Sequence, residues 1–269
     1  MIRLSHAISD RNLKNFYWLA LIYAITLVGI YYFQSYYTNL MALLSKVFPL
    51  FSAGVAVIAS SFALRIYWKN LESILSRIWL GFSLGMIFWF IGELGWAIYT
   101  LIFRIELPYP SLADVYRLVG YGFLFFAIFT YIKLFRSVIS TKVLATTSIF
   151  MLPTSVGIIP PLLVSVSAKA SVVNPTTLFV GLAYPFLDLI LLALAMLGLL
   201  VFTTTGLKGR LGPVWVLINA GIIMNAFGDM LFSYTNLQNT YYNGHPLELF
   251  FHLGYLFFIL SFYAHTKKL

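Results

Sequence analysis

Cysteine is absent from this chain of 269 residues. Disulfides, thiolate nucleophiles and cysteine-ligated metals are excluded together, while the compartment is left open. Charge is nearly as scarce. Only 9% of the residues are charged, and eight are acidic. Of the four histidines, His6 and His265 are near the termini, so a histidine-rich zinc site is not expected. A carboxylate-only site would suit at most a hard cation. The sequence also lacks a glycine-rich phosphate loop and a Gly-x-Ser-x-Gly elbow. With no lysine expected deep in an apolar run, a retinal Schiff base is excluded. No cofactor is implied. The net charge of +9 does not point to nucleic acid, because the basic residues are spread among loops rather than clustered.

What is present is apolar surface. The chain is 61% hydrophobic and 18% aromatic, with a mean hydropathy of +0.91. A soluble globule of this length cannot hide so much, because most of a small domain is surface. The lipid bilayer is the partner that tolerates it. The expected fold is all-α: a polytopic membrane bundle of eight spans near 17–34, 46–66, 78–103, 111–132, 143–166, 176–203, 213–235 and 246–264. The whole chain, 1–269, reads as one transmembrane domain, and Met1 to Phe16 does not read as a cleavable signal. Ser111, after Pro108-Tyr109-Pro110, reads as an N-cap with Asp114 completing a capping box. Pro175 and Thr176 open the sixth span, while Pro213 and Pro246 fall in the first turns of the seventh and eighth.

The basic residues then set the orientation. Arg3, Arg11, Lys14, Arg65, Lys69, Arg77, Lys133, Arg136, Lys142, Lys208, Arg210, Lys267 and Lys268 fall on one side, and Lys46, Arg104 and Lys169 on the other. By the positive-inside rule both termini lie in the cytoplasm, and a plasma membrane is the expected location. An internal repeat is also legible. Gly92-Glu93, Asp114 and Gly120-Tyr121 are matched by Gly228-Asp229, Glu248 and Gly254-Tyr255, with an offset of 136 residues at the first acid and 134 at the tyrosine. Halves 1–136 and 137–269 are read as a parallel 4+4 repeat.

Asp10, Glu72 and Glu106 belong to tails or loops, whereas five acids lie in or at the ends of spans. Ionisable groups there are costly, so they face the protein interior and a partner. Glu93 is flanked by Trp89 and Trp96, Asp229 has Asn225 one turn away, and Asp188 has Tyr184. Asp114 and Arg117 are spaced as an i,i+3 ion pair, and Glu248 with His252 and Tyr255 repeats the pattern. All fall in the outer half or near the midplane, which predicts one polar cavity opening outward. A structural ion pair with a helix cap is the plainer role for Asp114 and Arg117, a hydrogen-bonded packing residue for His252, and packing for Tyr121 and Tyr255. Glu93, Asp188 and Asp229 are the stronger candidates for ligand contact.

Two resemblances bear on function. The stretch from Trp96 to Tyr121 with PYPSLADVYRLVGY, the stretch GLAYPFLDLILL from Gly181, and the later GDMLFSY and LFFHLGY resemble the multispanning membrane region that precedes GGDEF diguanylate-cyclase domains in bacterial sensors. The resemblance covers about six of the eight spans. It implies a non-catalytic sensor or receptor module, with Asp114, Asp188 and Asp229 at characteristic positions. The chain closes at Lys267-Lys268-Leu269 without a cyclase, so a separate signalling protein is the expected partner. The pattern of Gly228-Asp229 followed by His252 and Tyr255 is similar to the eight-span lysoplasmalogenase-like family. That likeness implies a lipid hydrolase in which Glu93 is the acid and Asp229 the base, one protonated and one ionised. The ligand is thus expected to be small and neutral, cationic or lipid-like. Transport coupled to protons or cations is a third reading, kept open by Pro185 beside Asp188.

Overall fold

The computed structural model describes residues 2–105, 110–169, 174–205, 212–237 and 240–268. Glu106, Pro108, Tyr109, Lys208 and Arg210 of the sequence reading lie outside the described residues. Eight helices are long and apolar enough to cross a membrane, and no strand occurs among the described residues. They are α1 (Ile2–Tyr32), α2 (Thr38–Arg65), α3 (Ile74–Ala97), α4 (Leu112–Leu134), α5 (Thr141–Lys169), α6 (Pro175–Thr205), α7 (Gly212–Leu237) and α8 (Glu248–Lys268).

Local signals explain most helix ends. The Ser73 hydroxyl accepts from the Ser76 amide at 3.1 Å and starts α3. Asp114 Oδ2 reaches back to Ser111, accepting from its amide at 2.7 Å and its hydroxyl at 2.9 Å, so the expected cap of α4 is present. Pro175 begins α6 and Pro213 is the second residue of α7, where a missing amide proton costs nothing. Pro246, by contrast, lies in a turn just ahead of α8, so Glu248 takes the first helical position. Pro49, Pro153, Pro160, Pro161 and Pro185 sit inside helices, as spanning helices tolerate.

The first two helices start earlier than the sequence reading expects, α1 at Ile2 rather than near 17, and the departure at α2 bears on the site. Helix α2 begins at Thr38, eight residues before the expected start. Lys46 is therefore a buried residue of the helix and not part of a loop. His265, read as near-terminal, is buried as well, with its ring 3.0 Å from the Tyr67 hydroxyl.

Helices α2, α3, α4, α6, α7 and α8 pack in a closed ring in that order, with α1 outside on α8 and α5 outside on α6. One end of the ring is filled by aromatics. Tyr131 stacks on Trp215 with centroids 3.4 Å apart, and Trp79 packs against Trp215 at 5.7 Å and Phe262 at 5.9 Å. The other end is polar.

Two close crossings hold the ring. An added Cβ on Gly85 or Gly120 would lie 3.5 or 3.2 Å from the carbonyl of the other, which brings α3 and α4 together. Gly221 and Gly254 bring α7 and α8 together in the same way, at 3.1 and 3.2 Å. Small residues at both positions allow the backbones to approach this closely. A Cβ at Gly120 would land on the Trp89 indole, and one at Gly254 on the Asn225 amide. Gly120→Ala should therefore destabilise the protein by about 1–3 kcal/mol through overpacking. Gly122→Ala, two residues on and with nothing within 4 Å of the new methyl, should be neutral or mildly stabilising. Thermal denaturation of both variants in the same detergent checks the contrast.

Candidate functional site

The polar end of the ring encloses a cavity of about 20 Å³, room for about one water molecule. Five helices line it. α3 supplies Trp89 and Glu93, α4 Arg117 and Tyr121, α6 Tyr184, α7 Asn225 and Asp229, and α8 Phe251 and Tyr255.

Arg117 makes the central contact. Its Nη2 stands 2.8 Å from Glu93 Oε1, joining α4 to α3. The i,i+3 pair with Asp114 is not formed. Gly92 explains the choice: a Cβ there would lie 2.6 Å from Arg117 Cγ, so its absence lets the arginine lie across α3 toward the neighbouring acid. Asp114 instead divides its oxygens, Oδ2 capping α4 and Oδ1 accepting from the Tyr184 hydroxyl at 3.0 Å. Tyr255 donates to Glu93 Oε1 at 3.4 Å.

Asp188 and Asp229 meet at one hydroxyl. Tyr121 Oη is 2.6 Å from Asp188 Oδ1 and 2.8 Å from Asp229 Oδ2. A phenol has one proton to give. Tyr121 therefore either divides its one proton between the two acids or serves one of them at a time, and in both cases its hydroxyl ties α4 to α6 and α7. Among the described residues neither acid has a cation within ion-pair distance, and Asp188 Oδ2 is buried without a hydrogen-bond partner.

Glu248 and His252 are not in this cavity. Glu248 Oε2 accepts from the Tyr31 hydroxyl at 2.7 Å, and its Oε1 from Tyr241 at 3.0 Å and the Gly244 amide at 2.8 Å. His252 Nε2 is 2.9 Å from the same Tyr31 hydroxyl. Burial, then the adjacent Glu248 carboxylate, push the Tyr241 hydroxyl above its ordinary range, so it stays a donor. Trp96 lies between the two groups. Lys46 Nζ is 3.9 Å from its ring centroid and the Arg117 guanidinium carbon 5.8 Å, while Lys46 also donates to Asn243 Oδ1.

Of the residues singled out from the sequence, Trp89, Glu93, Arg117, Tyr184, Asn225 and Asp229 line one cavity, with Asp188 and Asp114 joined to it through tyrosines. The sequence reading misplaces Glu248 and His252, and it treats Tyr121 as packing where the structure makes it the bridge. It also misses Tyr31, Lys46, Tyr241 and Phe251. Lys46 was discoverable, since Thr38 to Ser45 is apolar enough to continue the helix. Nothing local marks Tyr31, whose partners lie 217 and 221 residues away.

Comparison with protein-family models, curated proteins and solved structures finds no match for this chain.

Removing one partner of the Arg117–Glu93 pair leaves the other charge uncompensated. Arg117→Gln should lower stability by about 1–3 kcal/mol. Adding Glu93→Gln should recover part of that loss, which a double-mutant cycle by thermal denaturation would show as non-additivity.

Proposed function

We propose that the chain is a sensor- or receptor-like module of the plasma membrane that takes a small neutral or cationic ligand between its two halves. One observation carries the reading. Charged and hydrogen-bonding side chains from five helices converge on a single cavity, although each costs free energy to place in hydrocarbon. The charge balance supports the ligand class. Arg117 is paired with Glu93, whereas Asp188 and Asp229 meet at the Tyr121 hydroxyl with no cation within ion-pair distance among the described residues. An ammonium group would supply the countercharge that these two acids lack.

Size supports a signalling role. The cavity admits about one water molecule, so a larger ligand enters only when helices part. A ligand that binds the parted form draws the population toward it by its difference in affinity for the two forms. That change in packing is what a separate signalling protein would read.

The same proposal places both termini in the cytoplasm and treats halves 1–136 and 137–269 as copies. The matched crossings support the duplication. Gly85 faces Leu124 and Gly221 faces Phe258, while Gly92 faces Arg117 and Gly228 faces Phe251. These pairs keep the offsets of 136 on α3/α7 and 134 on α4/α8. Pro49 and Pro185, inside α2 and α6, are also 136 apart.

A second reading, a lipid hydrolase, rests on the two carboxyls that share Tyr121. One protonated and one ionised acid in contact form an acid–base pair. Glu93 is tied to Arg117, so in this version the acid is supplied by Asp188 with Asp229.

Native mass spectrometry of protein extracted in mild detergent tests the proposal. The wild type should carry a discrete extra mass, lost in Asp188→Asn and Asp229→Asn while helicity and melting temperature stay near wild type. A bare mass in all three, with aldehyde released from an alkenyl-ether lysophospholipid by the wild type alone, would replace the receptor with the hydrolase.

A further inference from the structure

On its lipid-facing side the bundle carries a second concavity, independent of the polar cavity. It is a groove of about 580 Å³ between α3 and α4. Gly81 and Gly122 form its floor, Leu84, Phe123 and Phe126 are among its walls, and Arg77 stands at one end. The two helices run antiparallel here, with Phe126 beside Gly81. From residue 77 to residue 84 the groove extends about 10 Å along α3. That compares with about 15 Å of hydrocarbon in one leaflet.

Three features name an occupant. First, the walls are apolar and face the bilayer, so an alkyl chain fills them without leaving a polar group unpaired. Second, Arg77 is exposed in the first turn of α3, at the depth of an interface, and has no ion-pair partner among the described residues. A guanidinium there presents several donors to a phosphate. Third, a Cβ on Gly122 would meet nothing within 4 Å. Packing between α3 and α4 therefore does not require a glycine at 122, in contrast to Gly120, and its absent side chain leaves space on the lipid side only.

We propose that this groove is a lipid site: it holds one acyl chain of an anionic glycerophospholipid whose phosphate sits on Arg77. The lipid lies along the same α3–α4 pair that carries Glu93 and Arg117 farther along, and shares no lining residue with the polar cavity.

The full chain is extracted in mild detergent with equal phosphatidylglycerol and phosphatidylcholine, and bound lipid is counted by native mass spectrometry. The wild type should retain one phosphatidylglycerol per chain, favoured about fivefold over phosphatidylcholine, the preference a single interfacial arginine supports. Gly122→Leu fills the groove and should cut retention at least tenfold at unchanged helicity. Arg77→Gln, an exposed change that leaves the packing intact, should abolish the preference for the anionic headgroup. Retention unchanged in Gly122→Leu overturns the site, as does equal retention of the two lipids by the wild type. A wild-type dimer that Gly122→Leu dissolves, with lipid counts unaltered, would assign the groove to a second copy of the chain and overturn it too. Should Gly122→Leu fail to fold, the headgroup preference in Arg77→Gln decides alone.

Discussion

A carboxyl group buried in an apolar bundle must find its donors within the protein, and Glu93, Asp114, Asp188, Asp229 and Glu248 each take at least one from another helix. The arrangement of the polar end follows from that requirement. Tyrosine supplies most of the donors: Tyr184 to Asp114, Tyr121 to Asp188 and Asp229, Tyr255 to Glu93, and Tyr31 with Tyr241 to Glu248. The residue suits the task, since its ring packs as an apolar body while its hydroxyl reaches one polar group. Each such bond also crosses from one element to another. Satisfying the acids and fixing the order of the helices are therefore the same act.

The two ends of the ring divide the work. Aromatic stacking around Trp79, Tyr131 and Trp215 fills one end without any charged group. It gives the helices a dense fulcrum. The polar end, with a space of about 20 Å³ and bonds that break singly, is where a small change of angle is least costly.

Much of the architecture was legible from hydropathy, because a span announces itself by length and composition alone. The start of α2 was not, since a single lysine at position 46 interrupts an apolar run that the helix ignores by laying the amine over Trp96. The identity of the acids in the site was legible from the cost of burying them. Their partners were not. Periodicity pairs residues within one helix, so it offered Asp114 to Arg117, whereas Gly92 on another helix makes room for the arginine to reach Glu93. Crossing geometry of that kind is written in pairs of distant small residues, which no single window along the sequence contains.

Helix α1 touches the ring through α8, and the bond from Tyr31 to Glu248 spans 217 residues. Closure of α2 onto α8 spans the chain in the same way. Lys46 finds Trp96 within the first half of the chain, but Asn243 only in the connection before α8, and Tyr31 finds its acid only in α8 itself. A chain halted before Asn243 would therefore leave Lys46 with Trp96 alone and Tyr31 without Glu248 or His252, so its first helix would lack the bonds that fix it to the rest of the fold.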